Sequence, residues 1–412
     1  MKIFKLFFVA LFSIWLLTFF PSSLWSQLVL GQYEDEAPFR TWNTLGFTTA
    51  PSLGMGEVQF TLASDCSVAL SNPALLSRLP AITITLNSSY NLASFFKYSV
   101  VNTGILISEK NISLGYYAFD FGGLSVRVKD WTFALSMALV ESYDRPKTEG
   151  NYYSRGNLVY SLNFDQEGVL KNINFSIARR VFRGLTAGIG LNYVYGNLYK
   201  DFDERWLQDN IAITDNKSNE FQGFYLNGGL VWDYKDKFEV AVIFRTPYVK
   251  KSASESSLQY HASAADIKIE ATANNEYKLP FVAGIGLSYE FSKVFRIASD
   301  VAFFNWSKYN VNYYDEELRR DFKDTIKISA GLEYISFLDI FNQKIATPFR
   351  IGINYDPQPM KELDSSYFYF SYGIGIHWGH FYLDAAASIG KERGSGNSLS
   401  ARKIALSISI KL

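Results

Sequence analysis

The chain has 412 residues, with 40 basic and 40 acidic side chains, 17% aromatic residues and one cysteine. This charge balance excludes a nucleic-acid partner held by a basic surface. The single thiol, Cys66, excludes an internal disulfide framework.

The first 26 residues have the order of a secretory signal peptide. Lys2 and Lys5 precede a largely apolar run from Leu6 to Phe20, and small polar residues lead to an expected cleavage after Ser26. The run is shorter than the roughly 18–20 apolar residues that a spanning helix needs. No cysteine stands at its end to take a lipid. Beyond it no window reaches helix-spanning length, so a membrane location requires strands closed into a barrel. The 27 Tyr, 34 Phe and 8 Trp suit such a barrel, whose strands show one face to lipid and mark both interfaces with aromatic rings.

Residues 27–80 lack regular alternation and are rich in small and turn-forming residues. From Ala81 the pattern changes to segments of about ten residues with period-2 alternation. In the last segment Ile404, Leu406, Ile408, Ile410 and Leu412 share one face, and Ala405, Ser407, Ser409 and Lys411 the other. Residues 185–193 and 131–139 read in the same way, and their small second-face residues leave room for something inside a barrel. The alternation predicts strands over 81–92, 112–128, 131–146, 169–181, 184–199, 220–234 and 236–249. It predicts seven more over 276–290, 293–308, 324–336, 346–356, 367–378, 379–390 and 401–412. Fourteen is an even number, as single-chain outer-membrane barrels require, with sixteen the alternative if 96–107 and 258–272 are also extended. Short connections such as Lys129-Asp130 and Trp378-Gly379 alternate with long ones at 147–168, 200–219, 250–275, 309–323, 357–366 and 391–400. A soluble β-sandwich is the competing architecture, but its outward face would carry charge, and these faces carry almost none.

The segment Pro51-Ser52-Leu53-Gly54-Met55-Gly56, then Ala63-Ser64-Asp65, then Asn72-Pro73-Ala74-Leu75-Leu76-Ser77-Arg78, resembles the N-terminal hatch of the FadL family of outer-membrane transporters. Arg245-Thr246-Pro247, Leu279-Pro280-Phe281, Asp300 with Trp306-Ser307, and Phe349 to Tyr355 ahead of Pro357 and Pro359 resemble later parts of that family in the same order. The resemblance implies an all-β fold, a 14-stranded antiparallel transmembrane β-barrel with an N-terminal plug in its lumen. The expected domains are a signal peptide (1–26), a hatch or plug (27–80) and the barrel (81–412). It also implies passive uptake of hydrophobic small molecules, such as long-chain fatty acids or hydrocarbons, through a groove between external loops, a pocket beside the plug and a lateral exit. In the hatch, Gly54 and Gly56 permit close backbone approach. Pro73 and Asn72 hold a turn that leads into Ala74.

Several candidate ligand contacts follow. The alternation places Arg245, Arg296, Asp300, Lys327, Glu333 and Arg350 indoors, where charges either pair or meet the plug. The functional reading gives one or two of Arg245, Arg296 and Arg350 the carboxylate of a fatty-acid-like ligand, with Arg78 at the plug's exit a further candidate. Phe202, Trp206 and Tyr260 are candidates to line the external groove. Where relatives have a glycine that kinks the third strand, this chain runs Leu139-Val140-Glu141-Ser142-Tyr143-Asp144-Arg145-Pro146, so Pro146 is the candidate to interrupt pairing. The C-terminal Leu412 replaces the aromatic residue with which such barrels usually end.

No catalytic constellation emerges from His261, His377 and His380, and neither a cofactor nor a metal site is expected. Acidic groups at Asp201, Asp203 and Glu204, and at Asp315, Glu316 and Glu317, read as solvated loop charges. The expected surroundings are outer-membrane lipid and lipopolysaccharide, with the protein a monomer. A FadL-like barrel serving as scaffold for a secretion-system partner protein is the alternative function, and a general porin is third.

Overall fold

In the computed structural model of the chain, the described residues are 47–412 apart from 63, 103–104, 235–236, 263–264, 314–315, 320, 341–342, 363 and 395–398. The expected signal peptide, residues 27–46 of the expected hatch and Asp315 lie outside them.

Nineteen extended segments form one antiparallel sheet that closes on itself. The first seven are β1 (Ile82–Asn102), β2 (Ile105–Val128), β3 (Trp131–Ser142), β4 (Arg145–Ser154), β5 (Asn157–Phe182), β6 (Leu185–Trp206) and β7 (Ile211–Tyr234). Next come β8 (Phe238–Arg245), β9 (Tyr248–Ala262), β10 (Ala265–Leu279), β11 (Val282–Ser292), β12 (Phe295–Phe304) and β13 (Asn310–Tyr313). The rest are β14 (Glu316–Arg319), β15 (Thr325–Ile340), β16 (Gln343–Pro357), β17 (Ser366–Trp378), β18 (Phe381–Arg393) and β19 (Ser400–Lys411).

Five pairs, β3/β4, β8/β9, β10/β11, β12/β13 and β14/β15, continue one another across a break, so the barrel has fourteen strands. Pro247 and Pro280 stand at two of these breaks, as expected of residues that lack a ladder donor. Closure comes from β1 against β19, from Thr83↔Lys411 to Ala93↔Ala401.

The alternation read from the sequence is realised residue by residue. In β19 Leu406 and Ile408 are half exposed on the outside, while Ala405, Ser407 and Ser409 are buried inside. In β3 Trp131, Leu135 and Met137 face out, and Thr132, Ala134, Ser136 and Ala138 face in.

The expected long loops are corrected in four places. Residues 157–168, 199–206, 211–222, 248–262 and 265–276 remain extended and paired, so the regions assigned to loops at 147–168, 200–219 and 250–275 form β-hairpins, and the one at 309–323 holds another, β13 with β14. The first three prolong β4 to β7, β9 and β10 into a ribbon beyond one rim. The sequence hid this because these stretches are polar, and polarity there reports two wet faces rather than a coil.

Ahead of the barrel runs a segment with a short α-helix, Ala50–Gly54, another at Val68–Ser71, and a 3-10 helix at Pro73–Arg78. Its apolar residues are buried, among them Leu53, Met55, Val58, Leu75 and Leu76. Short helices of this kind cannot persist alone and depend on such packing.

Candidate functional site

The N-terminal segment is fixed by hydrogen bonds to inward side chains on widely separated strands. Ala50 donates its N–H to Ser407 on β19 (2.9 Å), Gly56 to Ser371 on β17 (2.9 Å) and Cys66 to Thr85 on β1 (3.2 Å). Gln59 and Phe60 both donate backbone N–H groups to Asp300 on β12, at 2.6 and 2.9 Å. On β7, Asn227 donates to the carbonyls of Ala69 (2.9 Å) and Leu70 (3.0 Å).

Two glycine seats make the fit possible. A Cβ on Gly352 would lie 2.1 Å from the Gly56 nitrogen, and one on Gly331 2.3 Å from the Met55 carbonyl. Gly56 itself has φ +72, which L side chains rarely adopt. Asn72, wholly buried, accepts from Ala74 N–H (3.2 Å) and donates to the Phe60 carbonyl (2.6 Å). Pro73 and Asn72 rest on Gly188 and Gly229, where a Cβ would come within 2.4 and 2.0 Å of them.

Cys66 is buried, and burial pushes its thiol up to about 11. The thiol is therefore neutral at physiological pH and shielded. The folded protein is expected to resist maleimide and to react once unfolded in denaturant, as a mass-shift assay reads. Because the folded value lies above the ordinary thiol value of 9.0, the thiol's contribution to stability is complete below pH 9 and is lost as pH rises towards about 11.

The interior has two chemically distinct sides. Across β12, β15, β16 and β18 runs a chain of buried charges. Arg296 donates to Glu333 (2.7 Å), Arg350 donates through Nε to Glu333 (2.7 Å) and through Nη1 to Asp384 (2.6 Å), and His377 lies 3.1 Å from Asp384. Lys327 and Asn354 donate to Glu57 at 2.6 and 2.7 Å. Glu57 holds φ +67, an unusual conformation for a residue with a side chain. Two of the three inward arginines thus already hold carboxylates of the protein.

On the opposite side, carried by β3 to β10, an aromatic and aliphatic cluster of Tyr143, Leu170, Val194, Leu198, Phe221, Tyr225 and Tyr277 is buried beside a network of uncharged amides, in which Asn172 and Asn174 donate to Asn192 (both 2.9 Å) and Asn192 donates to Asn227 (2.7 Å). Tyr143 and Phe221 stack at 5.1 Å between centroids. Lys250 Nζ lies 4.7 Å from the Phe221 ring and 4.8 Å from that of Tyr277, and donates to the Tyr143 hydroxyl (2.7 Å). Arg245 borders this cluster, its guanidinium 5.8 Å from the Tyr225 ring, and its Nε is buried without a hydrogen-bond partner.

The wall beside this cluster has a seam. Among the described residues, pairing of β2 with β3 runs only from Val128↔Trp131 to Phe121↔Ala138, whereas β3 goes on pairing with β5 to Ser142↔Val169. Below the seam Phe121 stacks on Phe47 at 5.2 Å. Asp120, next to it, accepts from Asn87 (2.7 Å) and from Ser89. Beyond the seam, β3 breaks after Ser142, and the register of β4 against β5 shifts between Arg145 and Thr148, the interval that holds Pro146.

The remaining candidates fall into place as follows. Arg78 ends the 3-10 helix and pairs with Glu239. Phe202, Trp206 and Tyr260 share the inward face of the ribbon, because opposite residues of an antiparallel pair lie on one face. One cross-strand row joins Phe164, Phe202, Leu258 and Ile269 through Asp215, and the next joins Leu162, Ile213, Tyr260 and Ile267 through Glu204. Trp206 packs edge-on against Tyr160 at 4.7 Å. Sequence reasoning missed Glu57, Tyr143, Asp384 and Lys250. Asp384 was legible as an acid at an inward position of a strand whose next inward residues are the small Ala386 and Ser388.

In sequence, none of the curated proteins matches the chain. In structure, a FadL homologue of Pseudomonas aeruginosa is similar with a TM-score of 0.64 at 14% identity, covering 88% of this chain and 98% of that one. The toluene transporter TbuX of Ralstonia pickettii gives 0.63 at 14% identity, with 89% and 99% covered. The toluene transporter TodX of Pseudomonas putida gives 0.62 at 15% identity, with 87% and 96% covered. The FadL-type barrel fold is therefore shared along nearly the whole of these chains. A family model described as BamG matches residues 46–402, and the chain belongs to the BamG family.

Proposed function

We propose that this protein is a bacterial outer-membrane channel for passive uptake of small hydrophobic molecules, with the segment from Phe47 to Leu79 as the plug of its lumen. The observation that carries the reading is the aromatic cluster beside the wall seam, taken here as the ligand chamber. Tyr143, a residue of that cluster, follows Ala138, where pairing with β2 stops, by five positions and lies one residue past the end of β3. A hydrophobic molecule arriving on the aromatic inner face of the ribbon passes into the chamber and leaves sideways into lipid. It never crosses the charged side. The belt of outward Leu, Ile, Phe and Trp side chains, half exposed around the whole barrel, is the surface a bilayer would cover. Two of the structural neighbours being toluene transporters agrees with this substrate class.

Of the candidate arginines, Arg245 is the one we assign to a ligand carboxylate, since its Nε is unpartnered and faces the chamber. For a fatty acid, Arg245→Met is expected to weaken binding about tenfold or more, as loss of a charge-assisted pair does, and to leave a neutral hydrocarbon unaffected.

The purified barrel in lipid vesicles tests the main reading. Flux of toluene or oleate above that of protein-free vesicles is expected, and Ser142→Trp at the seam is expected to reduce it about tenfold, with heat-modifiable gel mobility reporting a folded barrel. Flux equal to that of empty vesicles sinks the proposal. The buried charged network across β12, β15, β16 and β18 favours a second reading, a scaffold for a secretion-system partner. Zero flux together with a stoichiometric protein partner in solubilised membranes would establish it.

A further inference from the structure

The ribbon leaves one sheet edge open. β10 pairs with β9 without a register shift from Ala265↔Ala262 to Leu279↔Tyr248. On its other side it meets β13 only at Glu276, Tyr277 and Lys278. Among the described residues, no strand pairs with that side from Ala265 to Asn274, a length of about 33 Å at the usual strand rise.

The direction of the free groups follows from the hairpin. Ala262 and Ala265 are opposite partners separated by only two residues in sequence, and antiparallel partners that close along the chain are a hydrogen-bonded pair. Odd-numbered residues then exchange hydrogen bonds with β9, and Asp266, Lys268, Glu270, Thr272 and Asn274 turn N–H and C=O groups to the open side.

Exposed edges are ordinarily blunted by proline, by bulges or by several lysines. This one has a single lysine, no proline and an unbroken register. Its side chains are open on both faces: Ile267 and Ile269 are 50% and 53% exposed inward, and Asp266 and Glu270 project outward. A second copy does not fit an antiparallel match here, because it would place one barrel upside down in a shared bilayer.

We propose that β10, from Asp266 to Asn274, accepts an extended segment of another polypeptide as a further antiparallel strand. The added strand carries apolar residues beside Ile267 and Ile269, enlarging the apolar inner face of the ribbon. Its outer face carries basic, acidic and basic residues opposite Asp266, Lys268 and Glu270. This inference is independent of what passes through the barrel.

The test uses the full chain in its native membrane, with a photo-crosslinking benzoylphenylalanine placed in turn at 268, 270 and 272, and at 253 on β9, which β7 and β10 flank, as control. All three edge positions are expected to join the same partner segment at sites two residues apart. Glu270→Pro, which removes an outward donor and no bond to β9, is expected to lower the adduct at 272 about tenfold while gel mobility stays that of a folded barrel. Adducts with a second copy, adducts scattered over unrelated segments, or edge yields no greater than the control overturn the proposal.

Discussion

Arg350→Ala is expected to destabilise the barrel by about 3–5 kcal/mol, the usual cost of leaving buried charges without their partner. The side chain is 5% exposed and is the centre of the lumenal network, holding Glu333 with one nitrogen and Asp384 with another. Removing it leaves two carboxylates facing each other across an unfilled volume. Arg296 partly compensates Glu333, and His377 partly compensates Asp384, so the loss falls short of two isolated buried charges. Urea denaturation of the barrel in vesicles, followed by tryptophan fluorescence, measures it. The companion variant Arg350→Met with Glu333→Leu and Asp384→Leu is expected to recover most of the loss, because an apolar replacement of a complete ion cluster is often neutral. If the single variant matches the wild type, the network is not buried as the structure has it.

Gly352→Val is expected to unseat the plug. Even one carbon at this position would meet the backbone of Met55 and Gly56 at 2.1–2.2 Å, and a peptide chain cannot swing aside as a side-chain tip does. Overpacking of this sort costs about 3 kcal/mol at the upper end of its range. Here it falls on the contact between plug and wall rather than on the sheet, so the barrel survives and the plug is loosened. Limited proteolysis reads the difference, with cleavage expected within residues 50–62 of the variant and none in the wild type. Planar-bilayer recordings are expected to show larger ion conductance for Gly352→Val.

Much of the barrel was legible in the sequence because alternation is a local signal. Each of Leu406, Ile408, Ala405 and Ser407 has its orientation fixed by its immediate neighbours and the pleat. The external ribbon was not legible, since Lys217, Ser218 and Glu255 to Ser257 carry no periodic contrast when both faces of a strand are wet. The inward position of Arg245, Arg296 and Arg350 could be read from parity. Which carboxylates they meet could not, because Glu333, Asp384 and Glu57 come from strands and a loop whose register depends on closure of the whole sheet. The seam is of the same kind: its end at Phe121↔Ala138 is a property of two strands together.

The closure between β1 and β19 also bears on the order of events in folding. Ile82 and Leu412 exchange backbone hydrogen bonds at 3.0 and 2.8 Å, joining residues some 330 positions apart. Until the last strand arrives, the first has an unsatisfied edge, and that loop's entropy has to be met before the contact returns any stability. A chain interrupted before Ser400 therefore presents two unpaired borders in place of a sealed wall.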